Sequence, residues 1–182
     1  MAEIADRYST IADDFTARLG SVQADAWLAE SPCTEWTARD VVVHVINTHH
    51  RVLSALDGSE PAVVTADDDL QTQWSAATAA LLEALTDEER ASRIVGGAFG
   101  EQRFDSLVSR LLCADTLIHT WDLARATNQQ ELLDPVAVGK AMEFLTPLDE
   151  AIRRPGGFAP KIESSPDADE QTTLLNFCGR AV

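Results

Sequence analysis

One stretch constrains this chain more than any other: Asp115-Thr116-Leu117-Ile118-His119-Thr120-Trp121-Asp122. It sits inside a long amphipathic pattern whose apolar stripe includes Phe104, Leu107, Val108, Leu111, Leu112, Ile118, Leu123 and Ala126. At about 100° per residue, Asp115, His119 and Asp122 fall within roughly 60° of one another, in the middle of that stripe. Three ionisable side chains are thus directed at the protein interior. An unpartnered buried charge is costly, so the trio requires a metal ion or a closed hydrogen-bonded network. A carboxylate and a histidine at i and i+4 are spaced to give a metal two ligands from one helix.

The rest of the chain reads as helices around that one. Ile4, Tyr8, Ile11, Phe15 and Leu19 recur at helical spacing, and Gly20 stops the pattern. A short helix is expected over 24–30, followed by a loop through Pro32, Cys33 and Trp36. Thr37 and Asp40 form a capping box that opens a Val-rich helix to about Leu56. Further helices are expected over 68–85, 105–127 and from Pro135 to about Arg153. The glycine-rich run 96–100 reads as a loop or short hairpin, and 62–66 as extended or irregular. From Pro155 the tail reads as irregular, ending in an apolar Leu174-Leu175-Asn176-Phe177 that docks on the body. The expected class is all-α, a helical bundle in one domain spanning 1–182, with 155–182 as its extension.

Composition narrows the function classes. The 182 residues are 45% hydrophobic and carry a formal net charge of −16. Such a surface repels nucleic-acid phosphates and anionic membranes. No apolar run is long enough to span a bilayer, and no signal peptide is evident; a cytoplasmic protein is expected. Three widely spaced cysteines, Cys33, Cys113 and Cys178, argue against a disulfide framework. Cys33 precedes a helix, where a thiol can have a lowered pKa, and it is a candidate fourth ligand or redox-sensitive neighbour.

A third metal ligand must come from another helix. His44 lies near the centre of its helix, on a face with Asp40, Asn47, Thr48 and Arg51. That polar collar suits either a ligand cavity or a solvent-facing surface. His49 and His50 lie roughly 140° and 120° around the helix from His44 and read as surface or rim residues. Two imidazoles and a carboxylate leave coordination positions open, which suits Zn²⁺ and also Ni²⁺ or Fe²⁺. Asp122 reads either as an orienting partner for a ligand or as a salt-bridge partner of Arg125. Trp36 and Trp121 are candidates to wall the site.

Three segments resemble one family. Pro32-Cys33-x-x-Trp36-Thr37-x-Arg39-Asp40-Val41-Val42-x-His44, the stretch from Asp115 through Thr127, and Leu174-Leu175-x-Phe177-x-Gly179-Arg180 resemble the mycothiol-dependent maleylpyruvate isomerase-like proteins of actinobacteria, a branch of the DinB-like metal-binding superfamily. The resemblance implies a four-helix bundle of up-down-down-up topology. It implies a divalent metal, commonly zinc, held by His44, Asp115 and His119. The family usually has Glu where this chain has Asp115, so the metal would sit closer to that helix or the carboxylate would bind it differently. The resemblance further implies a thiol-dependent isomerase or S-transferase using mycothiol or a related thiol on small electrophiles. Asn47 and Arg51 are the candidates for polar groups of the thiol or substrate. The competing reading is a metal- or small-molecule-binding protein without chemistry, and a third is a metal-free helical protein with Asp115 and His119 ion-paired. An isologous homodimer is the oligomer a helical surface of this kind readily forms.

Overall fold

The computed structural model describes residues 2–97, 100–153 and 157–182. The chain is all-α. Four long helices, α1 (Ala2–Gly20), α2 (Ala38–Asp57), α3 (Leu70–Thr86) and α6 (Cys113–Ala126), surround the core. Each packs against two others: α1 and α2 both touch α3 on one side and α6 on the other. Two short helices, α4 (Glu88–Ser92) and α5 (Phe104–Leu107), flank a hairpin of β1 (Ile94–Val95) and β2 (Gln102–Arg103), with Ile94 opposite Arg103. Helix α7 (Pro135–Leu145) lies on α6, and α8 (Glu170–Phe177) lies on α7. Among the described residues no helix is long and apolar enough to cross a membrane.

Local chemistry explains most of these boundaries. Tyr8, Ile11, Phe15 and Leu19 form the buried stripe of α1. Phe15 packs against Trp74 of α3, 4.6 Å between ring centroids, and the Trp74 indole N–H donates to Thr16. The Thr37–Asp40 capping box starts α2, and Gly58, in the left-handed region at φ 66°, ends it. The cap fixes Val41–Val43 as helix although their side chains favour strands. Asp69 caps α3; Asp134 followed by Pro135 starts α7.

Three boundaries differ from expectation. Residues 24–30 form turns rather than a helix: Trp27 packs on the core but Leu28 is 76% exposed, so the segment has no continuous apolar stripe to bury. It is tied back onto the start of α2 by Ala38 N–H to Ala29 O and Arg39 N–H to Trp27 O. The helix from Pro135 stops at Leu145, because Pro147 cannot donate a backbone hydrogen bond; two 3₁₀ turns, Thr146–Leu148 and Ala151–Arg153, follow. The helix expected over 105–127 is α5 and α6 joined by a π turn at Val108–Leu112. The glycine-rich run, read as a loop or short hairpin, lies between the paired strands β1 and β2; its Ala98 and Phe99 lie outside the described residues, as do Pro155 and Gly156 of the tail. The tail itself forms α8, with Leu174 and Leu175 fully buried.

His49 is the clearest correction. It is fully buried, edge-on to Trp74 at 4.7 Å and 5.9 Å from the Tyr8 ring, and its Nδ1 donates to Val45 O. Helix α2 is covered on two sides, by α3 and by α6, so a residue turned away from His44 still meets the core. Burial lowers its pKa to about 4. The folded chain therefore holds fewer protons than the unfolded chain between pH 4 and the ordinary histidine value near 6.5. That stability is complete above about pH 6.5 and is lost as pH falls toward 4, by about 3 kcal/mol. Urea denaturation across this range should show a pH dependence flatter by about that amount in His49→Gln.

After α8 the backbone turns sharply at Gly179, φ 82°, where a Cβ would stand 2.7 Å from the Ala159 Cβ. Gly179→Ala adds left-handed strain to that clash and is expected to cost about 1–3 kcal/mol, read by chemical denaturation.

Candidate metal centre

The site forms where α2 and α6 face each other. Helix α2 brings His44, and α6 brings Asp115, His119 and Asp122. The His44 Nε2 is 3.2 Å from Asp115 Oδ1, and the His119 Nε2 is 3.7 Å from the same oxygen. One ligand-type atom from each of the three lies within 4.8 Å of the others. Four ligands held at about 2.0–2.1 Å on a tetrahedron stand about 3.3 Å apart, so the Asp115–histidine spacings suit a common ion. Asp115 reaches both imidazoles although it is a methylene shorter than Glu. Burial alone would raise its carboxyl; His44 and His119 outweigh that and hold it down at about 2. Its other oxygen, Oδ2, is buried with no hydrogen-bond partner. A buried carboxylate with two imidazoles on one oxygen and no partner on the other is the feature a cation would satisfy.

Asp122 is fully buried and accepts from three groups. His119 Nδ1 donates to its Oδ2 at 2.8 Å; a carboxylate can only accept, so Nδ1 carries a proton, and Nε2 is the nitrogen that faces Asp115. Arg180 donates to both oxygens, Nε to Oδ1 at 3.1 Å and Nη2 to Oδ2 at 2.7 Å. The Cys33 thiol donates to Oδ2 at 3.2 Å. Burial pushes the Asp122 carboxyl up, but Arg180 and His119 hold it well below the usual carboxylate range. Arg125, the alternative partner, pairs with Glu131 instead.

Cys33 does not behave as a helix-entrance thiol. Burial, then the Asp122 charge, push it up to about 12 against the lowering effect of Arg180. It stands 4.0 Å from His119 Nδ1, the nitrogen that Asp122 already occupies. With His119 and Asp122 it forms a second ligand-type group.

Trp36 leans over both imidazoles, 4.8 Å from the His44 ring and 5.9 Å from that of His119. Trp121 does not wall the site; it is buried under the Arg125 guanidinium, 4.8 Å away. Asn47 is spent on structure: its amide donates to Val64 O and accepts from Val64 N–H, both at 2.8 Å, pinning the α2–α3 connection. Arg51 is exposed and donates to Thr48 Oγ1. Neither lines the cavity beside the three ligands. That cavity, about 580 Å³, has Trp36, Leu111, Phe144, Ile152 and Phe158 as its apolar walls, and His44, Asp115, His119 and Arg180 as its polar ones.

Residues 8–124 match the family described as the mycothiol maleylpyruvate isomerase N-terminal domain. The chain belongs to that family. Two relatives from Mycobacterium tuberculosis, the uncharacterized proteins MT0763 of strain CDC 1551 / Oshkosh and Rv0738 of strain ATCC 25618 / H37Rv, are each 33% identical over 176 residues. The alignment covers 93% of this chain and 93% of each relative. No solved structure matches the chain. The family match stops at residue 124, so Arg180, the residue that closes the network around Asp122, lies outside the matched part.

Removing one member of a buried ion pair leaves the other uncompensated, at a cost of about 3–5 kcal/mol. Asp122→Asn is expected to lose about that much stability by urea denaturation. Asp122→Asn with Arg180→Met should recover much of it, since no charge is then stranded.

Proposed function

We propose that this chain is a divalent-metal protein that uses a low-molecular-weight thiol of the mycothiol type, either to isomerise small electrophiles or to add its sulfur to their electrophilic carbon. The observation that carries the reading is the convergence of His44, Asp115 and His119, with the Asp115 Oδ2 orphaned, on the wall of an apolar cavity. His44, Asp115 and His119 would hold the metal; zinc suits two imidazoles and a carboxylate, as do nickel and iron. When bound, the metal supplies a positive charge that lowers the pKa of a thiol brought to it.

The remaining work falls to the chain's own groups. Asp122 keeps the His119 proton on Nδ1 and the ring in one orientation. Arg180 holds Asp122 ionised and in place. Trp36 shields the imidazoles from water on one side. The Phe144, Ile152 and Phe158 walls receive the carbon body of an electrophile and exclude water from it. Cys33 stays protonated, so it neither competes as a nucleophile nor repels an incoming thiolate.

The test is thiol-dependent turnover. Zinc-loaded protein should consume monochlorobimane or maleylpyruvate with mycothiol and not without it. Chelation or Asp115→Ala should reduce turnover at least about a hundredfold, as expected when a catalytic metal is lost. No thiol-dependent turnover of any electrophile by metal-loaded protein would leave a binding protein without chemistry.

A further inference from the structure

A second concavity, about 480 Å³, opens between α1, the π turn and α7. Its walls include Arg7, Arg110 and Lys140, three of the fourteen lysines and arginines in a chain of net charge −16. Gln102 and Ser109 add polar groups, Glu143 adds one carboxylate against the three cations, and Pro147 and Leu148 close one side. Clustering of scarce cations in a concave surface focuses positive potential there, against the field of the rest of the molecule.

The cations are only partly compensated. Arg7 donates to Ser109 Oγ and faces Glu3 at 3.8 Å, but Glu3 is 88% exposed. Lys140 donates to Glu143 at 2.8 Å, again a solvent-exposed pair worth little. The Arg110 guanidinium, on the π turn, has no hydrogen bond or ion pair among the described residues. The Arg7 Nε is buried with no partner. Phe144 lines this groove and also the cavity beside His44, Asp115 and His119, so the two spaces share a wall. The π turn does the same, with Ser109 and Arg110 on the groove and Leu111 on the cavity.

We propose that this groove is a binding site for a small molecule bearing a carboxylate or phosphate group, recognised by Arg110 and Lys140 with Arg7 behind them. Arginine matches the paired oxygens of either anion. The site does not require a metal.

Isothermal titration calorimetry at low ionic strength tests it, with inorganic phosphate and, separately, succinate as probes on the full chain. Saturable binding with a Kd on the order of 1 mM is expected for at least one of them, weakening with added salt. Arg110→Gln with Lys140→Gln should weaken it by about tenfold or more. Both positions are exposed or nearly so, and an unchanged circular dichroism melt would verify the fold. His119→Ala should bind the probe as wild type does. The stronger probe identifies the anion class. Absence of saturable heat for both, equal affinity in the double variant, or loss of binding in His119→Ala would each overturn the proposal.

Discussion

The buried bridge between Asp122 and Arg180 holds the site together. Asp122 sits in the middle of α6, and Arg180 follows α8, fifty-eight positions later in the chain. Neither could be buried alone without a large desolvation cost; paired through two hydrogen bonds, with His119 and Cys33 on the remaining lone pairs, they can. The pair closes the end of the chain over the cavity, brings Phe158 and Gly179 to its wall, and sets the ring orientation of His119. Gly179 is part of the same device, because only a residue without a side chain lets the turn pass Ala159 and deliver Arg180 to Asp122. Three ionisable groups on an apolar stripe thus have two distinct solutions about two helical turns apart. Asp122 is neutralised by the protein itself, whereas Asp115 keeps one oxygen unanswered.

That asymmetry separates structure from chemistry at the site. A fully satisfied network rigidifies; a partly satisfied one in a cavity is a place for something else to bind. His119 stands at the junction, its Nδ1 committed to the rigid half and its Nε2 facing the open half. Orientation of a ligating imidazole through its second nitrogen is a general device for metal sites. The His119 ring is held in this way by Asp122, which Arg180 in turn anchors from beyond the part of the chain that matches the family.

Much of this was legible in the sequence, for identifiable reasons. The all-α class follows from helical spacing in α1 and α3 and from the Thr37–Asp40 cap, all of them local signals. The i, i+4 spacing of Asp115 and His119 places them on one face whatever the tertiary context. His44 needed the family resemblance, since its polar helix face suited solvent as well as a cavity. Arg180 as partner of Asp122 was not legible, because no local rule links positions fifty-eight apart; the demand of a buried Asp122 for a cation was the available signal. His49 was misread as a surface residue because an angular argument from His44 says where it does not point, not what covers it. Asn47 and Arg51 share His44's face, yet the first is held by Val64 and the second points to solvent, distinctions that depend on a loop and not on the helix.

The central claim is that His44, Asp115 and His119 form a metal centre. Elemental analysis by mass spectrometry of protein purified without a histidine tag, wild type beside His119→Ala, tests it most directly. Near-stoichiometric zinc, nickel or iron in the wild type and its loss in the variant is the predicted result. No metal in either protein after exposure to metal-replete buffer would contradict it, and would make the Asp115 contacts with His44 and His119 an ion-paired network within a metal-free helical protein.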